Sequence, residues 1–357
     1  MSDPRKPDPV YLQACGMTTA LGTSYLATAA AVRAGLDMFE ESPVHNKAFA
    51  AITLSLLDEE RLPELLREVH QQAPELTTRQ IRMLKLATLA LQDLTSQITN
   101  IDKLPIFLCG PQNHPNLPPP CHPDIIRQIE QQSDINLHAT QRHVYTTGHA
   151  GGAQALSDAM QHLKNSDDER VLVAGIDSWL DLLLISTLDQ EDRILAPDIS
   201  DAFIPGEAAC FLLVSKKPAN FLDTGKQIKI HHPGIAEETG HRYSDQPYKG
   251  DGLALAFSQA FKHASLAPVK TIYSSINGEF LGSKEFGVAN IRNRESIDQD
   301  CVTQHPADCF GDIGAATFPT MIALSAMGIG KEYLQQPVLC YASSDTQQRG
   351  ATCMSSN

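Results

Sequence analysis

Short apolar runs along the chain alternate with longer stretches in which apolar residues recur every three or four positions. The short runs predict buried strands, and the recurring positions predict the apolar face of a helix. In the first half, a strand that runs into a turn is predicted over 10–22, strands over 106–110 and 171–175, and a turn followed by a strand over 203–214. Helices are predicted over 24–33 and 78–94, and a third helix opens within 146–153 and continues to about 164.

The second half repeats this order of elements. Strands are predicted over 228–231, 272–276 and 338–342, the last as the closing strand, and helices over 251–265 and 311–327. A polar stretch over 216–224 separates the two sets, which predicts an N-terminal half over 1–215 and a C-terminal half over 216–357. Strands alternating with helices are typical of a mainly parallel α/β architecture, here duplicated.

Two helix openings in these halves share a pattern of small residues. Gly148-His149 in the first half matches Gly311-Asp312 in the second, and each pair is followed two residues later by another glycine. Glycine permits close packing, and each helix start carries partial positive charge and free N–H groups. We therefore expect His149 and Asp312 to be equivalent residues that meet at one site. Alternatively, His149 caps its helix and Asp312 is an ordinary N-cap.

Two stretches interrupt the alternation of strands and helices. Residues 37–76 are mixed and punctuated by proline, which predicts an excursion from the main fold. Residues 111–123 are rich in proline and predict a loop.

The composition fits a protein with a large packed core. The 357 residues suggest two domains or one fold built from two halves, and 42% hydrophobic with 20% charged residues excludes disorder and fibrous repeats. Because no run of about 18 apolar residues appears, a membrane span is not expected. The opening Met1–Pro7 lacks the apolar core of a signal peptide, so we expect a cytoplasmic location.

Charge and cysteine content narrow the function classes further. A formal net charge of −14 would repel a phosphate backbone, which disfavours nucleic-acid binding. The eight cysteines are scattered, with no close pair at metal-binding or redox spacing. In a cytosolic protein they predict reduced, mostly buried thiols.

Several segments resemble the β-ketoacyl-acyl-carrier-protein synthases, or ketosynthases. Gly16 to Gly22 match their Gly-Met-x-Thr-x-Leu-Gly turn, and 147–159 is similar to the helix that carries their nucleophile. Val171 to Ser178 resembles their strand ending in Asp/Glu-Ser, and 203–209 resembles their Phe-x-x-Gly-Glu-Gly-Ala turn. These segments follow the family order over most of 10–215. In the second half the resemblance rests on 251–265, 277–279 and 311–316.

The resemblance implies a thiolase-like α/β fold, with two pseudo-symmetric halves in five αβαβα layers, mixed sheets and usually a homodimer. Family members condense an acyl group held on a cysteine with a malonyl thioester, assisted by two histidines. The implied ligands are thioesters of acyl carrier protein or coenzyme A, in fatty acid or polyketide biosynthesis, and no cofactor is expected.

This chain departs from the family at all three catalytic positions. His149 stands where the resemblance places the nucleophilic cysteine, and Asn277 and Asp312 replace the two histidines. Residues 343–346 replace a glycine-rich loop near the C-terminus. Condensation through a cysteinyl thioester is therefore disfavoured.

One hypothesis is an acyltransferase with an altered site. Since the cysteine and the second histidine lie close together in the family's fold, we expect His149 and Asp312 to be within hydrogen-bond range. Such a pair is a general-base arrangement that activates a hydroxyl, amine or water toward an acyl thioester. The backbone N–H of His149 would stabilise the oxyanion, Asn277 would bind the thioester carbonyl, and Glu279 would be a further acid or base.

Two other hypotheses stay open. The chain is similar to chain-length-factor subunits, which keep the fold and lose the cysteine, and would then bind an acyl chain or form a heterodimer with an active ketosynthase. It also resembles cysteine-less relatives that decarboxylate malonyl thioesters.

Other candidate groups carry less chemistry. Cys109 and Cys309 do not begin a helix whose dipole would lower a thiol pKa, so we expect structural thiols. Two ligands, His149 and Asp312, are too few to hold a metal ion, so no metal ion is expected.

A carrier protein docking on this acidic chain would need a local basic patch. Arg79, Arg82 and Lys85 lie at helical spacing and are the candidate for it. The alternative is a solvated helix face.

Overall fold

The computed structural model describes residues 8–98, 101–137, 142–197 and 199–357. The opening Met1–Pro7, on which the absence of a signal peptide was predicted, lies outside the described residues.

Thirteen strands and ten α-helices form the described chain. The first part comprises β1 (Val10–Thr19), α1 (Tyr25–Ala34), β2 (Glu40–His45), β3 (Ala51–Leu54), α2 (Arg67–Gln72), α3 (Thr78–Gln97), β4 (Ile106–Cys109), α4 (Ile125–Ser133), β5 (Arg142–Tyr145), α5 (Gly151–Asn165), β6 (Arg170–Ser178), α6 (Leu182–Gln190) and β7 (Glu207–Ser215). The second part comprises β8 (Ile228–Ile230), β9 (Gly234–Glu237), α7 (Asp251–Ala264), β10 (Val269–Ser274), α8 (Phe280–Arg292), β11 (Ile297–Gln304), α9 (Ala307–Phe310), α10 (Thr317–Gly330), β12 (Val338–Ser343) and β13 (Gln348–Ser356).

The main sheet has two pseudo-symmetric halves. One half runs β5-β4-β6-β7-β1 and the other β11-β10-β12-β13-β8, and the two meet where β1 pairs with β8. In each half the three outer strands are parallel and the two inner strands run antiparallel. The predicted duplication is therefore present, but the prediction of a mainly parallel sheet is wrong because the inner strands reverse direction.

Alternating side chains on the strands separate three layers of core. On β7, Cys210 and Leu212 face a central cluster that contains α5 and α10, while Phe211 and Leu213 face α3 and α4. In the other half, β12 places Cys340 in the central cluster and Leu339 against α7. The two halves of the main sheet thus alternate with three helical layers, which is the five-layer αβαβα arrangement of the thiolase-like fold.

The halves approach closely through small residues. Every residue of α10 is buried, as expected for a helix that is apolar on all sides. A methyl group added at Gly152 of α5 would lie 2.9 Å from Cβ of Phe318, and one at Gly175 of β6 would lie 2.5 Å from the carbonyl oxygen of Ala315. These glycines let the central helices pack directly on the opposite half.

Most predicted elements are present, with shifted ends. The excursion over 37–76 contains the separate β2–β3 hairpin and α2, and 111–123 contains no helix or strand. The strand predicted over 338–342 is present as β12, but the prediction that it is the last strand is wrong. A further strand, β13, follows it and lies between β12 and β8 in the sheet. β13 is rich in small residues instead of branched ones because it packs tightly: a methyl group at Gly350 would lie 2.3 Å from Cβ of Ala153. The predicted boundary between 215 and 216 falls at the end of β7 and stays a prediction.

The alignment of the two helix openings is shifted by one short turn. Gly148 begins a 3-10 turn that leads into α5, and Gly314 begins the corresponding 3-10 turn before α10. Gly148 is therefore equivalent to Gly314 and not to Gly311. His149 and Asp312 are not equivalent positions, and the predicted helix start at 311 is wrong.

The predicted basic patch on α3 is also wrong. Arg79 is buried and pairs with Asp177 at 2.8 Å, and Arg82 is buried and donates from Nε to Glu207 at 2.7 Å. Lys85 pairs with Glu59. Arg79 and Arg82 are internal ion-pair partners, and Lys85 is partly buried and paired with the exposed Glu59, so the three form neither a docking patch nor a solvated face. Among the described residues, no helix has both the length and the apolar character needed to cross a lipid bilayer.

Substitution of Gly175 tests the close contact between the halves. We expect Gly175→Ala to lower the free energy of unfolding by about 1–3 kcal/mol, because the methyl group meets backbone atoms that cannot move independently. Urea unfolding measures the change. Gly287→Ala is the matched control in α8, where a methyl group meets nothing within 4 Å, and it should be neutral or slightly stabilising. Equal stability of the two variants would contradict this packing.

Candidate functional site

His149 is held by the tight turn that leads into α5. Gly148 has φ +69, and a methyl group there would lie 2.8 Å from Oε1 of Gln112, so both backbone and space favour glycine. Ser344, in the loop between β12 and β13, accepts a hydrogen bond from the Ala150 N–H at 3.0 Å and donates to the Thr147 carbonyl. The two sides of this turn are therefore tied to the opposite half.

The predicted contact between His149 and Asp312 is present. Nε2 of His149 lies 2.7 Å from Oδ1 and 2.9 Å from Oδ2 of Asp312. Both residues are buried, with 6% and 3% exposure. The contact is thus shielded from solvent. Charge interactions in such a buried place are stronger than at the surface.

Asp312 accepts hydrogen bonds from three further donors. The Trp179 indole N–H lies 3.2 Å from Oδ1, the Asn277 amide lies 2.7 Å from Oδ2, and the backbone N–H of Gly314 lies 2.7 Å from Oδ1. Burial by itself would raise the pKa of Asp312, but the charge and hydrogen bond of His149, with the hydrogen bonds from Asn277 and the Gly314 N–H, hold the pKa below its ordinary value. The carboxylate is therefore ionised and its acceptor sites are occupied.

The same pair sets the protonation of His149. Burial by itself would lower the pKa of His149, but the charge of Asp312 and its hydrogen bond, with Asp345 and Asp177 nearby, raise the pKa to about 9. At neutral pH the ring is therefore an imidazolium. A general base must be unprotonated, so this state differs from the one that the acyltransferase hypothesis requires.

Glu279 lies in a second group of ion pairs beside Asn277. Its carboxylate accepts from Nε of Arg193 at 2.8 Å and lies 2.9 Å from Arg242. Arg193 also donates to Asp345 at 2.9 Å. The structure thus places Glu279 in a cluster of two arginines and two carboxylates, where it neutralises arginine charge instead of standing free as an acid or base.

Sequence reasoning missed several members of this site. Arg193 gave no signal, and Asp345 was noted only as part of the 343–346 segment that replaces the glycine-rich loop, because the role of each depends on its partner. Trp179 directly follows the segment that resembles the family strand, and it is the one tryptophan in the chain. Asp177 lies within that segment. It pairs with Arg79 and accepts a hydrogen bond from the Ala315 N–H at 2.9 Å.

A cavity of about 140 Å³ lies beside His149. One wall is apolar and consists of side chains from the proline-rich loop and α6, namely Leu117, Pro118, Pro119, Pro120, Leu183, Leu184 and Leu188, together with Trp179. Polar residues also line the cavity, among them His149, Gln112, Arg79, Asp177, Arg193 and Asp345. The arrangement suits an apolar ligand with one polar group.

The thiols offer no replacement nucleophile. All eight cysteines lie among the described residues and none forms a disulfide. Burial raises the pKa of Cys109 well above its ordinary value, and burial followed by nearby Asp308 raises the pKa of Cys309. The expectation that these are structural thiols agrees with their burial. The described His, Cys, Asp and Glu residues contain no group of three that would hold a metal ion, and the expectation of no metal stays a prediction.

Comparison with solved structures identifies the fold. The chain is similar to a ketosynthase in complex with its chain length factor from Xenorhabdus doucetiae (TM-score 0.77, 14% identity, 100% of both chains). It is also similar to the ishigamide ketosynthase/chain length factor (TM-score 0.73, 13% identity, 98% of both chains). A third match is the oxazolomycin ketosynthase domain of Streptomyces albus (TM-score 0.75, 12% identity, 97% of this chain and 75% of that one).

No protein-family model matches the chain, and no curated protein matches it by sequence. At identities of this size the structural likeness establishes the ketosynthase fold, as the resemblance implied.

The His149–Asp312 pair predicts a pH-dependent stability. Because the folded-state pKa of about 9 lies above the ordinary value of 6.5, the stabilisation is fully present below about pH 6.5 and is lost as the pH rises through 9. We expect the free energy of unfolding to fall by about 3 kcal/mol over this range. Urea titrations at several pH values measure it, and His149→Gln should flatten the slope. An unchanged slope in the variant would contradict the assignment.

Proposed function

We propose that this chain is a non-condensing ketosynthase-like subunit that associates with an active ketosynthase, as chain length factors do. The observation that carries the proposal is the state of His149. It stands where the resemblance places the nucleophilic cysteine, it is buried, and its Nε2 is taken up by Asp312. The site holds a charge-neutralised pair in place of a nucleophile.

The protonation of His149 supports the partner role over a general-base role. With its pKa raised to about 9, the ring carries its proton at neutral pH and cannot accept another. Asp312 accepts a hydrogen bond from that N–H, and it also accepts hydrogen bonds from Trp179, Asn277 and the backbone of Gly314. An efficient general base has a pKa near the working pH, and this pair departs from that condition.

The other charged side chains near the site support the same conclusion. Glu279 and Asp345 are engaged by Arg193, and Asp177 by Arg79. Removing one partner from such buried pairs typically costs several kcal/mol, so they are suited to holding a fixed shape. A scaffold that shapes a partner's reaction needs this rigidity more than it needs reactive groups.

An acyltransferase acting on thioesters of acyl carrier protein or coenzyme A is the second candidate. It is favoured by one observation: Nδ1 of His149 has no hydrogen-bond partner among the described residues, and His149 lines the cavity. In that case the chain would act by itself, as a homodimer in the manner of the family. The partner proposal instead predicts a heterodimer, with the carrier protein delivered to the complex. A cytoplasmic location stays a prediction for both.

Reconstitution tests the partner role. The chain is co-expressed with a ketosynthase of the same organism that has cysteine at the corresponding helix start. We expect a one-to-one complex by light scattering. We also expect condensation of an acyl group on the cysteine of the active ketosynthase with malonyl-carrier protein, with release of CO2, to require both subunits. Each subunit by itself is the control. Absence of a complex with every such ketosynthase of that organism would contradict the proposal.

A turnover assay on the isolated chain tests the second candidate. Octanoyl-CoA is incubated with the purified protein, and release of free coenzyme A is measured. We expect no release above the buffer rate. Release that disappears in His149→Gln and persists in His162→Gln, a second histidine of α5 that pairs with Asp168, would overturn the partner proposal in favour of the acyltransferase.

A further inference from the structure

The proline-rich loop separates the cavity beside His149 from solvent. Residues 117–120 of the loop line the cavity on one side, and α6 lines it on the other. Leu183 of α6 lines the cavity and is 57% exposed, so the cavity comes closest to the surface where the loop faces α6. Trp179, which is 6% exposed, lines the same cavity. The position of the loop therefore decides whether solvent reaches this tryptophan.

Residues 113–119 of this loop, here called the strap, are held to other segments by few polar contacts. Three of the seven strap residues are proline and have no N–H to donate. The N–H groups of Asn116 and Leu117 are satisfied within the strap, by Nδ1 and the carbonyl oxygen of His114. Among the described residues, the one hydrogen bond from the strap to another segment joins Nε2 of His114 to Oε1 of Glu191 at 3.2 Å.

The ring of His114 is oriented for this contact. Because Nδ1 accepts the N–H of Asn116 at 3.4 Å, Nε2 carries the hydrogen that Glu191 accepts. The ring also packs edge-on against Tyr243, with ring centroids 5.1 Å apart. Glu191 directly follows α6, and Tyr243 lies in the segment between β9 and α7. His114 thus fastens the strap to two elements outside the loop.

The two ends of the strap are anchored independently of His114. Before the strap, Gln112 donates from Nε2 to Oδ2 of Asp345 at 3.3 Å. After the strap, Gln80 of α3 donates from Nε2 to the carbonyl oxygen of Pro120 at 3.3 Å. Between these anchors the strap is attached through His114 and through the side chain of Leu117, which packs against the apolar cluster that contains Trp179. A segment with so few contacts opens locally at a small cost in free energy.

We propose that the strap is a lid over the cavity, closed while His114 contacts Glu191 and opening between its two anchored ends when that contact is released. In the open state solvent reaches Trp179 and the cavity-lining side of His149. The contact between His114 and Glu191 is therefore the latch of the lid. The inference concerns access to the cavity, so it goes beyond the partner role and does not depend on it.

Quenching of tryptophan fluorescence by acrylamide tests the lid. Because Trp179 is the one tryptophan and lines the cavity, quenching reports access to this place. In the unaltered protein we expect a quenching constant well below that of N-acetyltryptophanamide. His114→Ala removes the latch and should raise the constant at least about threefold, since the open state becomes more populated. Glu191→Ala should act in the same way. Glu191→Gln keeps an oxygen that accepts from Nε2–H and should quench as the unaltered protein does.

His122→Ala is the matched control on the same loop. His122 has the same arrangement as His114, since its Nδ1 accepts the N–H of Asp124 at 3.1 Å and its Nε2 lies 3.3 Å from Oε1 of Glu75. It lies outside the strap and does not line the cavity. Because Gln80 holds the loop at Pro120, between His122 and the strap, the quenching constant of this variant should equal that of the unaltered protein.

Three results would overturn the proposal. They are quenching of the unaltered protein as strong as that of N-acetyltryptophanamide, unchanged quenching in His114→Ala and Glu191→Ala, or an equal increase in His122→Ala. Circular dichroism checks the fold of each variant. His114→Ala and Glu191→Ala remove the same contact from opposite sides, so if one does not fold, the other decides. Failure to form a complex with a ketosynthase would overturn the partner role and leave this proposal standing.

Discussion

The buried carboxylate of Asp312 is the constraint on which the centre of the molecule depends. An ionised carboxylate is stable in a protein interior only when it is paired and hydrogen-bonded. Its partners come from four separate places in the chain: His149 before α5, Trp179 after β6, Asn277 before α8, and the backbone of Gly314 before α10. The carboxylate thereby holds both central helix openings and segments of both halves in one geometry.

This arrangement bears on the proposed non-condensing role. A cysteine nucleophile works as a thiolate beside groups that exchange protons. Here the corresponding position carries a cation that is neutralised by a fixed carboxylate, and the neighbouring Glu279 and Asp345 are neutralised by Arg193. The ketosynthase fold is retained, and its polar centre consists of paired charges.

The fold was predictable from the sequence to a large extent, and the site only in part. The periodicity of apolar residues located the central strands and helices. The resemblance to ketosynthases implied the five-layer order of helices and sheets. The contact of His149 with Asp312 was also predicted, but the repeat used for it was shifted by one turn, because glycine spacing does not show where a 3-10 turn precedes an α-helix. β13 was missed because tight packing requires small residues there, and a segment rich in small residues has the sequence pattern of a loop. Arg82 was read as solvent-facing because its partner Glu207 is distant in sequence.

The place of β13 has a consequence for how the protein is made. β13 lies inside the sheet between β12 and β8, although it is synthesised after the twelve other strands described. Until it emerges from the ribosome, β8 and β12 each expose an unpaired edge, and the loop carrying Ser344 is not yet in place. Exposed strand edges promote aggregation and slow, non-local pairing delays folding. The interval before β13 pairs with β12 and β8 is therefore the one in which these edges are most open to aggregation.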